Sequence, residues 1–241
     1  MATFTAFSNL LPDPAHPITD AGDLAASGTP GPGFSALSFR SNTETQVSRT
    51  QGGRGITRDG GVQYWSFNIS YNPMFRFQFD PIDSFLAMRN PRRDPFYVIL
   101  PQYSKPKDST YNGLTTTVVK ANTLAGNNTL LVKNTAGSFV GSLKPGDMFT
   151  IADPQNYNHQ KVYKVGAVET NAYFQASTYQ PGLDELRIHI APPLQRDVFA
   201  NAPLVLKEPK FRVISQNDVQ EHELNTDNLY SFSLAVEEIQ P

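Results

Sequence analysis

The side chains best suited to metal binding or to proton transfer near neutral pH are four histidines, His16, His159, His189 and His222. No HExxH or similar metal-binding pattern surrounds them. His189, within Arg187-Ile188-His189-Ile190, reads as a histidine on a sheet face. Paired carboxylates for glycoside hydrolysis could come from the adjacent residues Asp184/Glu185 or Glu237/Glu238, but neighbours on a strand point to opposite faces. A hydrolase would need carboxylates brought together from distant parts of the chain. No GxSxG, no GxxxxGK[ST] and no strand-linked GxGxxG is present. Gly52, Gly53 and Gly55 resemble a phosphate loop loosely, but no helix pattern follows to hold a phosphate at its N-terminus. No catalytic residue, no metal site and no cofactor site is therefore expected.

Binding chemistry is better represented. Arg40, Arg49, Arg54 and Arg58 lie close together in sequence, with Glu44 and Asp59 as the nearby acids. Three readings fit them: a hairpin that pairs with carboxylates of a neighbouring subunit, a contact with nucleic acid, and a solvated loop. Arginine's planar fork makes bidentate pairs and is enriched at interfaces, which favours the first. The net charge of −2 argues against nucleic acid and against an anionic membrane as partner of the whole molecule. Farther along, Tyr157, Tyr173, Phe174 and Tyr179 offer rings that could stack on a sugar, with Tyr157 set in Asn156-Tyr157-Asn158-His159. The alternative for these rings is packing of a small barrel and its loops.

The elements that must carry these groups are mostly strands. Leu37, Phe39, Ser41, Thr43, Thr45 and Val47 share one face of a period-two stretch. Gly52-Gly53 and Asp59-Gly60 are hairpin signals, because such turns need positive φ. Trp65, Phe67, Ile69 and Tyr71 alternate with Ser66, Asn68 and Ser70, which predicts a strand with one buried face. Phe75, Phe77 and Phe79 alternate with Arg76 and Gln78 in the same way. Asp80 then reads as the N-cap of a helix with Pro81 at its first position and Ile82, Phe85 and Leu86 as its apolar stripe, closed by Asn90-Pro91. Phe96 to Leu100 predicts another strand.

Residues 12–35, with Pro12, Pro14, Pro17, Pro30 and Pro32, predict an extended arm or a long loop. Residues 102–112 are polar and read as a linker. From Gly113 to about Pro203, Thr- and Val-rich segments separated by Gly126-Asn127-Asn128 and Lys144-Pro145-Gly146-Asp147 suggest a small barrel of OB-like or SH3-like size. After Pro203 the aromatic-rich alternation returns, in Phe211, Val213 and Ile214 and in Tyr230, Phe232, Leu234 and Val236. The expected organisation is all-β with one short helix. A discontinuous β-sandwich domain at 1–103 plus 207–241 surrounds an inserted barrel at 104–206. Length, 39% hydrophobic residues, 16 glycines and 19 prolines suit many short strands around real cores. The chain has no cysteine, which fits assembly in a reducing cytoplasm. Its first residues show neither the basic start nor the apolar run of a signal peptide, and no apolar run is long enough to span a membrane. The glycosylation patterns at Asn68 and Asn127 are discounted as chance matches.

Ser38-Phe39-Arg40-Ser41-Asn42, Val47-Ser48-Arg49-Thr50-Gln51-Gly52-Gly53-Arg54, the Trp65 to Tyr71 strand and Pro81-Ile82-Asp83-Ser84-Phe85-Leu86 together resemble the distal tail protein and baseplate ring family of long-tailed bacteriophages. The resemblance implies a non-enzymatic structural virion protein, assembled in the host cytoplasm. It implies a ring, six-fold in that family, at the distal end of the tail tube or baseplate. Such a ring joins the tube to hub and peripheral tail-tip proteins, and no membrane or specific nucleic acid is among its partners. Arg40, Arg49, Arg54 and Arg58 are then the subunit-interface candidates. The alternative is a carbohydrate-binding β module for host-surface glycans, with Tyr157, Tyr173 and Tyr179 as the stacking rings.

Overall fold

The computed structural model describes residues 8–177, 179–217, 222–224 and 227–240, with the backbone alone at 59–62. Among these residues the elements run β1 (Phe34–Arg49), β2 (Gly55–Tyr71), α1 (Arg76–Ala87), β3 (Phe96–Ile99), a 3₁₀ turn (Pro101–Tyr103), β4 (Thr117–Val119), β5 (Thr129–Asn134), β6 (Met148–Ile151), β7 (Val162–Glu169), β8 (Glu185–Ala191), β9 (Leu204–Val205), β10 (Lys210–Ser215), β11 (His222–Leu224) and β12 (Tyr230–Glu238). The fold class is all-β with one α-helix, as the sequence patterns indicate. The chain divides into two compact units, one running up to Val98 and resuming at Arg212–Ile239, the other spanning Ile99–Phe211.

In the first unit the strands lie in the order β1-β2-β12-β10-β3, and β11 pairs with the first half of β12. Period-two alternation explains the layering. Trp65, Phe67, Ile69 and Tyr71 of β2 are buried while Asn68 is exposed. Phe232, Leu234 and Val236 of β12 are buried in turn, and Leu234 stands opposite Ile69. Helix α1 closes this core with Phe79, Ile82, Phe85 and Leu86. Phe79 stacks on Tyr230 at 5.1 Å and meets Phe232 at 5.5 Å, and Phe85 meets Phe96 edge-on at 5.8 Å.

Two local expectations are corrected. The helix begins at Arg76, with Phe75 as its extended N-cap, so Phe75, Phe77 and Phe79 form no strand, Asp80 is not the cap and Pro81 lies inside the helix. Pro81 cannot donate to the Phe77 carbonyl, a loss of order ~3 kcal/mol in a helix interior. The buried stripe of Phe79, Ile82, Phe85 and Leu86 outweighs it. Gln78 helps at the start by accepting the Phe75 N–H at 3.1 Å. The second correction concerns Asp59-Gly60, which lies within β2 rather than in a turn. The hairpin closes before that point, where Gly53 N–H donates to the Thr50 carbonyl at 2.9 Å and Gly53 takes φ +78°. The glycines farther on absorb a register irregularity: between the pairs Thr43↔Gln63 and Thr45↔Asp59, β1 advances two residues and β2 four.

In the second unit the order is β4-β5-β8-β7-β6-β9. The sheet comes close to closing on itself, because Val119 N–H donates to the Ala202 carbonyl at 2.9 Å and Asn201 N–H to the Val119 carbonyl at 2.8 Å. Alternate residues fill the interior, among them Val119, Leu130, Val132, Phe149, Tyr163 and Ile188. Residues 104–112, which read as a linker, are bound to this unit: Lys107 N–H donates to Asp147 at 2.9 Å and Ser142 N–H to Asp108 at 3.1 Å.

Candidate functional site

The hairpin β1–β2 outruns its sheet. Strand β12 pairs with β2 only from Ser66 to Ser70, and Ser66 stands opposite Arg40. Beyond that point β1 and β2 continue as a two-stranded ribbon to the turn after Arg49, nine residues farther, or ~30 Å. A two-stranded ribbon is marginal in water by itself, and this one exposes apolar groups: Val47 is 66% and Ile56 52% exposed. The register Val47↔Thr57, Ser48↔Ile56 puts Val47 and Arg49 on one face and Ile56 and Arg58 on the other. Arg49, Arg54 and Arg58 are thus gathered at the tip. Arg40 sits apart at the base, in line with Ser66 and Glu237. All four are exposed, and among the described residues no ion pair holds them.

The Pro-rich stretch from Ser8 to Gly33 forms no regular element and follows the first unit. Leu11 N–H donates to the Tyr97 carbonyl at 2.8 Å and Tyr97 N–H to the Asn9 carbonyl at 2.7 Å, so the stretch covers the free edge of β3. Asp13 accepts from the Ala15 and His16 N–H groups and from His16 Nδ1 at 2.9 Å, folding one corner. Arg89 ties the other end to α1: its guanidinium lies 4.0 Å from the Phe85 ring centroid, donates to the Ser8 carbonyl at 2.8 Å and reaches Asn9 Oδ1 at 3.1 Å. Burial lowers its pKa, against the nearby Asp94 charge. Gly31 permits the close crossing, since a Cβ there would stand 2.4 Å from the Pro12 carbonyl oxygen. Gly31→Val is expected to lift the stretch away, costing about 1–3 kcal/mol. The check is hydrogen exchange at Leu11, Ile18 and Thr29, and unchanged protection there would refute it.

Between this stretch and α1 lies a groove of about 670 Å³. One wall carries Ile18, Thr19 and Asp20, the other Phe77, Asp80 and Met88. Phe77 and Met88 are 66% and 62% exposed. Among the described residues Asp80 approaches only Arg76, at 3.6 Å, and both side chains of that pair are largely in solvent. Sequence reading misses this groove because its walls lie some sixty residues apart.

In the second unit the three tyrosines do not converge. Tyr157 belongs to the loop before β7 and Tyr173 and Tyr179 to the loop after it, so a strand of eight residues, ~25 Å, separates them. Tyr157 and Tyr173 are 80% and 81% exposed. Tyr179 is anchored: its hydroxyl donates to Glu185 at 3.0 Å, and Lys120 Nζ bonds both Tyr179 and Glu185. Burial works to raise the Glu185 pKa, but Lys120, the Gly182 N–H and Tyr179 lower it on balance. His189 lies on the outer sheet face, as its sequence context suggests, 2.8 Å from Glu169. Glu185 is held low by its cationic and hydroxyl partners, so it is not poised as the protonated acid that glycoside hydrolysis requires. His159 is buried, with Nε2 2.7 Å from the Tyr163 hydroxyl, which also accepts the Gln195 N–H at 3.1 Å. Among the described residues no group of three His, Asp or Glu side chains is placed to hold a metal. No helix there is long and apolar enough to cross a membrane.

Comparison with known proteins bears on the first unit's sequence. Residues 11–103, which hold most of the Pro-rich stretch, the ribbon, α1 and β3, match the family described as Distal tail protein pb9, A domain, N-terminal. Distal tail protein pb9 of Escherichia phage T5 is 30% identical over 136 residues, which are 56% of this chain and 62% of that protein's length. The resemblance read from Ser38–Arg54, Trp65–Tyr71 and Pro81–Leu86 is supported: through the segment that builds the ribbon and its helix, the chain is similar to the distal tail proteins.

Proposed function

We propose that the protein is a non-enzymatic structural subunit of a bacteriophage tail. It forms a ring, six-fold by family analogy, at the distal end of the tube or baseplate and joins the tube to hub and peripheral tip proteins. The observation that carries this reading is the exposed ribbon tip with Arg49, Arg54 and Arg58, in the segment matched by the distal tail protein family. A marginal ribbon with unshared cations and exposed Val47 and Ile56 gains most from a protein surface that covers it. In this reading the second unit is an insert in the ring domain, and the particle assembles in the host cytoplasm. Mass photometry over a concentration range, with negative-stain images of large species, tests it. Six copies of 26.7 kDa give a ring of about 160 kDa. A species that stays monomeric, alone and with purified tail tubes, counts against a ring subunit.

A second reading gives the second unit a glycan-binding role through Tyr173 and Tyr179, of which the Lys120–Glu185 pair anchors Tyr179. Binding on a glycan array that disappears in Tyr173→Ala supports it. A blank array removes it.

A further inference from the structure

We infer that the groove between the Pro-rich stretch and α1 receives the ribbon tip of a second copy of this chain. The inference rests on the ring reading and names the seat of its contact. The groove has two walls, and the tip has two faces. Each wall pairs an apolar surface with one carboxylate: Ile18 with Asp20 on one side, Phe77 and Met88 with Asp80 on the other. Each ribbon face pairs one exposed apolar residue with one arginine: Val47 with Arg49, and Ile56 with Arg58. A tip slid between the walls covers all these apolar groups at once and brings a guanidinium to each carboxylate.

The competing hold on these groups is weak. Among the described residues Asp80 shares only an exposed contact with Arg76, the kind of pair that exchanges partners at little cost. The groove itself is preformed, because Arg89 ties the Pro-rich stretch to α1 through Ser8, Asn9 and Phe85. A copy cannot seat its own tip, since the ribbon carries it ~30 Å past the last residue that β12 reaches. Tip and groove are different surfaces, so the contact is heterologous, the type that propagates into a ring when the rotation closes.

The absence of cysteine allows a direct test on the full chain. Val47→Cys and Met88→Cys are prepared as separate proteins, both at exposed positions, and mixed with a short bis-maleimide. The mixture is expected to give cross-linked dimer at least about tenfold faster than either variant alone, or than Val47→Cys mixed with the exposed control Val140→Cys. Adding Asp80→Arg to the Met88→Cys protein should slow that reaction about tenfold, and Arg49→Glu, on the same ribbon face as Val47, should return part of the loss. A mixture that reacts no faster than its controls overturns the inference. If rings of wild-type chain are seen while that reaction stays slow, the groove assignment alone fails. If neither appears, the ring reading fails with it.

Discussion

Phe85→Ala is expected to remove about 3–5 kcal/mol from the first unit, the cost of truncating a fully packed aromatic. Phe85 is 3% exposed, meets Phe96 edge-on and lies beneath the Arg89 guanidinium. Its loss therefore opens the core beneath α1 and removes the surface on which Arg89 rests, so the Pro-rich stretch loosens with the helix. The chain's single tryptophan, Trp65, is buried in β2 of the same unit, and its fluorescence in a urea titration reports this unfolding selectively. A loss below about 1 kcal/mol would mean that α1 is not packed against the sheet.

Acidification is expected to weaken the second unit through His159. Burial pushes this imidazole down to about 4, against the raising influence of Asp153 and the Asp197 carbonyl, with Arg196 adding to the depression. The unfolded chain binds a proton near 6.5, so between about pH 6.5 and 4 the unfolded state holds more protons than the native one. Stability is therefore full above 6.5, falls as the pH drops towards 4, and loses on the order of 3 kcal/mol to this group across that window. The ring is neutral in the native state, where it shares a hydrogen bond with the Tyr163 hydroxyl. Two readouts check the prediction. The His159 ring resonances should titrate near 4 in the folded protein, and His159→Gln should flatten the stability profile between 4 and 6.5. A native His159 that titrates near 6.5 would refute the burial argument. Carboxylates held low, such as Asp108 at about 2, act only at lower pH and do not mimic this effect.

How far the fold can be read from sequence depends on whether a pattern has one physical cause. The Trp65–Tyr71 strand is plain because its alternation comes from a sheet with one buried face. Phe75, Phe77 and Phe79 show the same period for a different reason. Only Phe79 belongs to the buried stripe of α1, while Phe77 stands at the rim of a groove that no local pattern reveals. Asp59-Gly60 carries turn chemistry that β2 spends on a register shift, and Gly53 already closes the hairpin. The arginines are visible as a group, but only the strand register shows that three share the tip and Arg40 does not. The tyrosines look like neighbours in sequence, and the length of β7 sets Tyr157 apart from the others. Asp20 and Asp80 give no signal as a pair, because the contact that unites them is made by Arg89, Ser8 and Asn9, far apart in the chain.

Strands β3 and β10, between which the second unit departs and returns, are neighbours in the first unit's sheet. Ser215 N–H donates to the Pro91 carbonyl at 2.8 Å, so the late end of β10 lies beside the approach to β3 and the two strands run in opposite directions. The chain leaves at Ile99 and comes back at Lys210 across what is formally the mouth of a hairpin. Whatever fills that mouth is a loop whose ends the sheet already holds, and the entropy of closing it grows only with the logarithm of its length. A segment of different length at this position would therefore add little closure entropy, while the ladder of the first unit's sheet would stay the same.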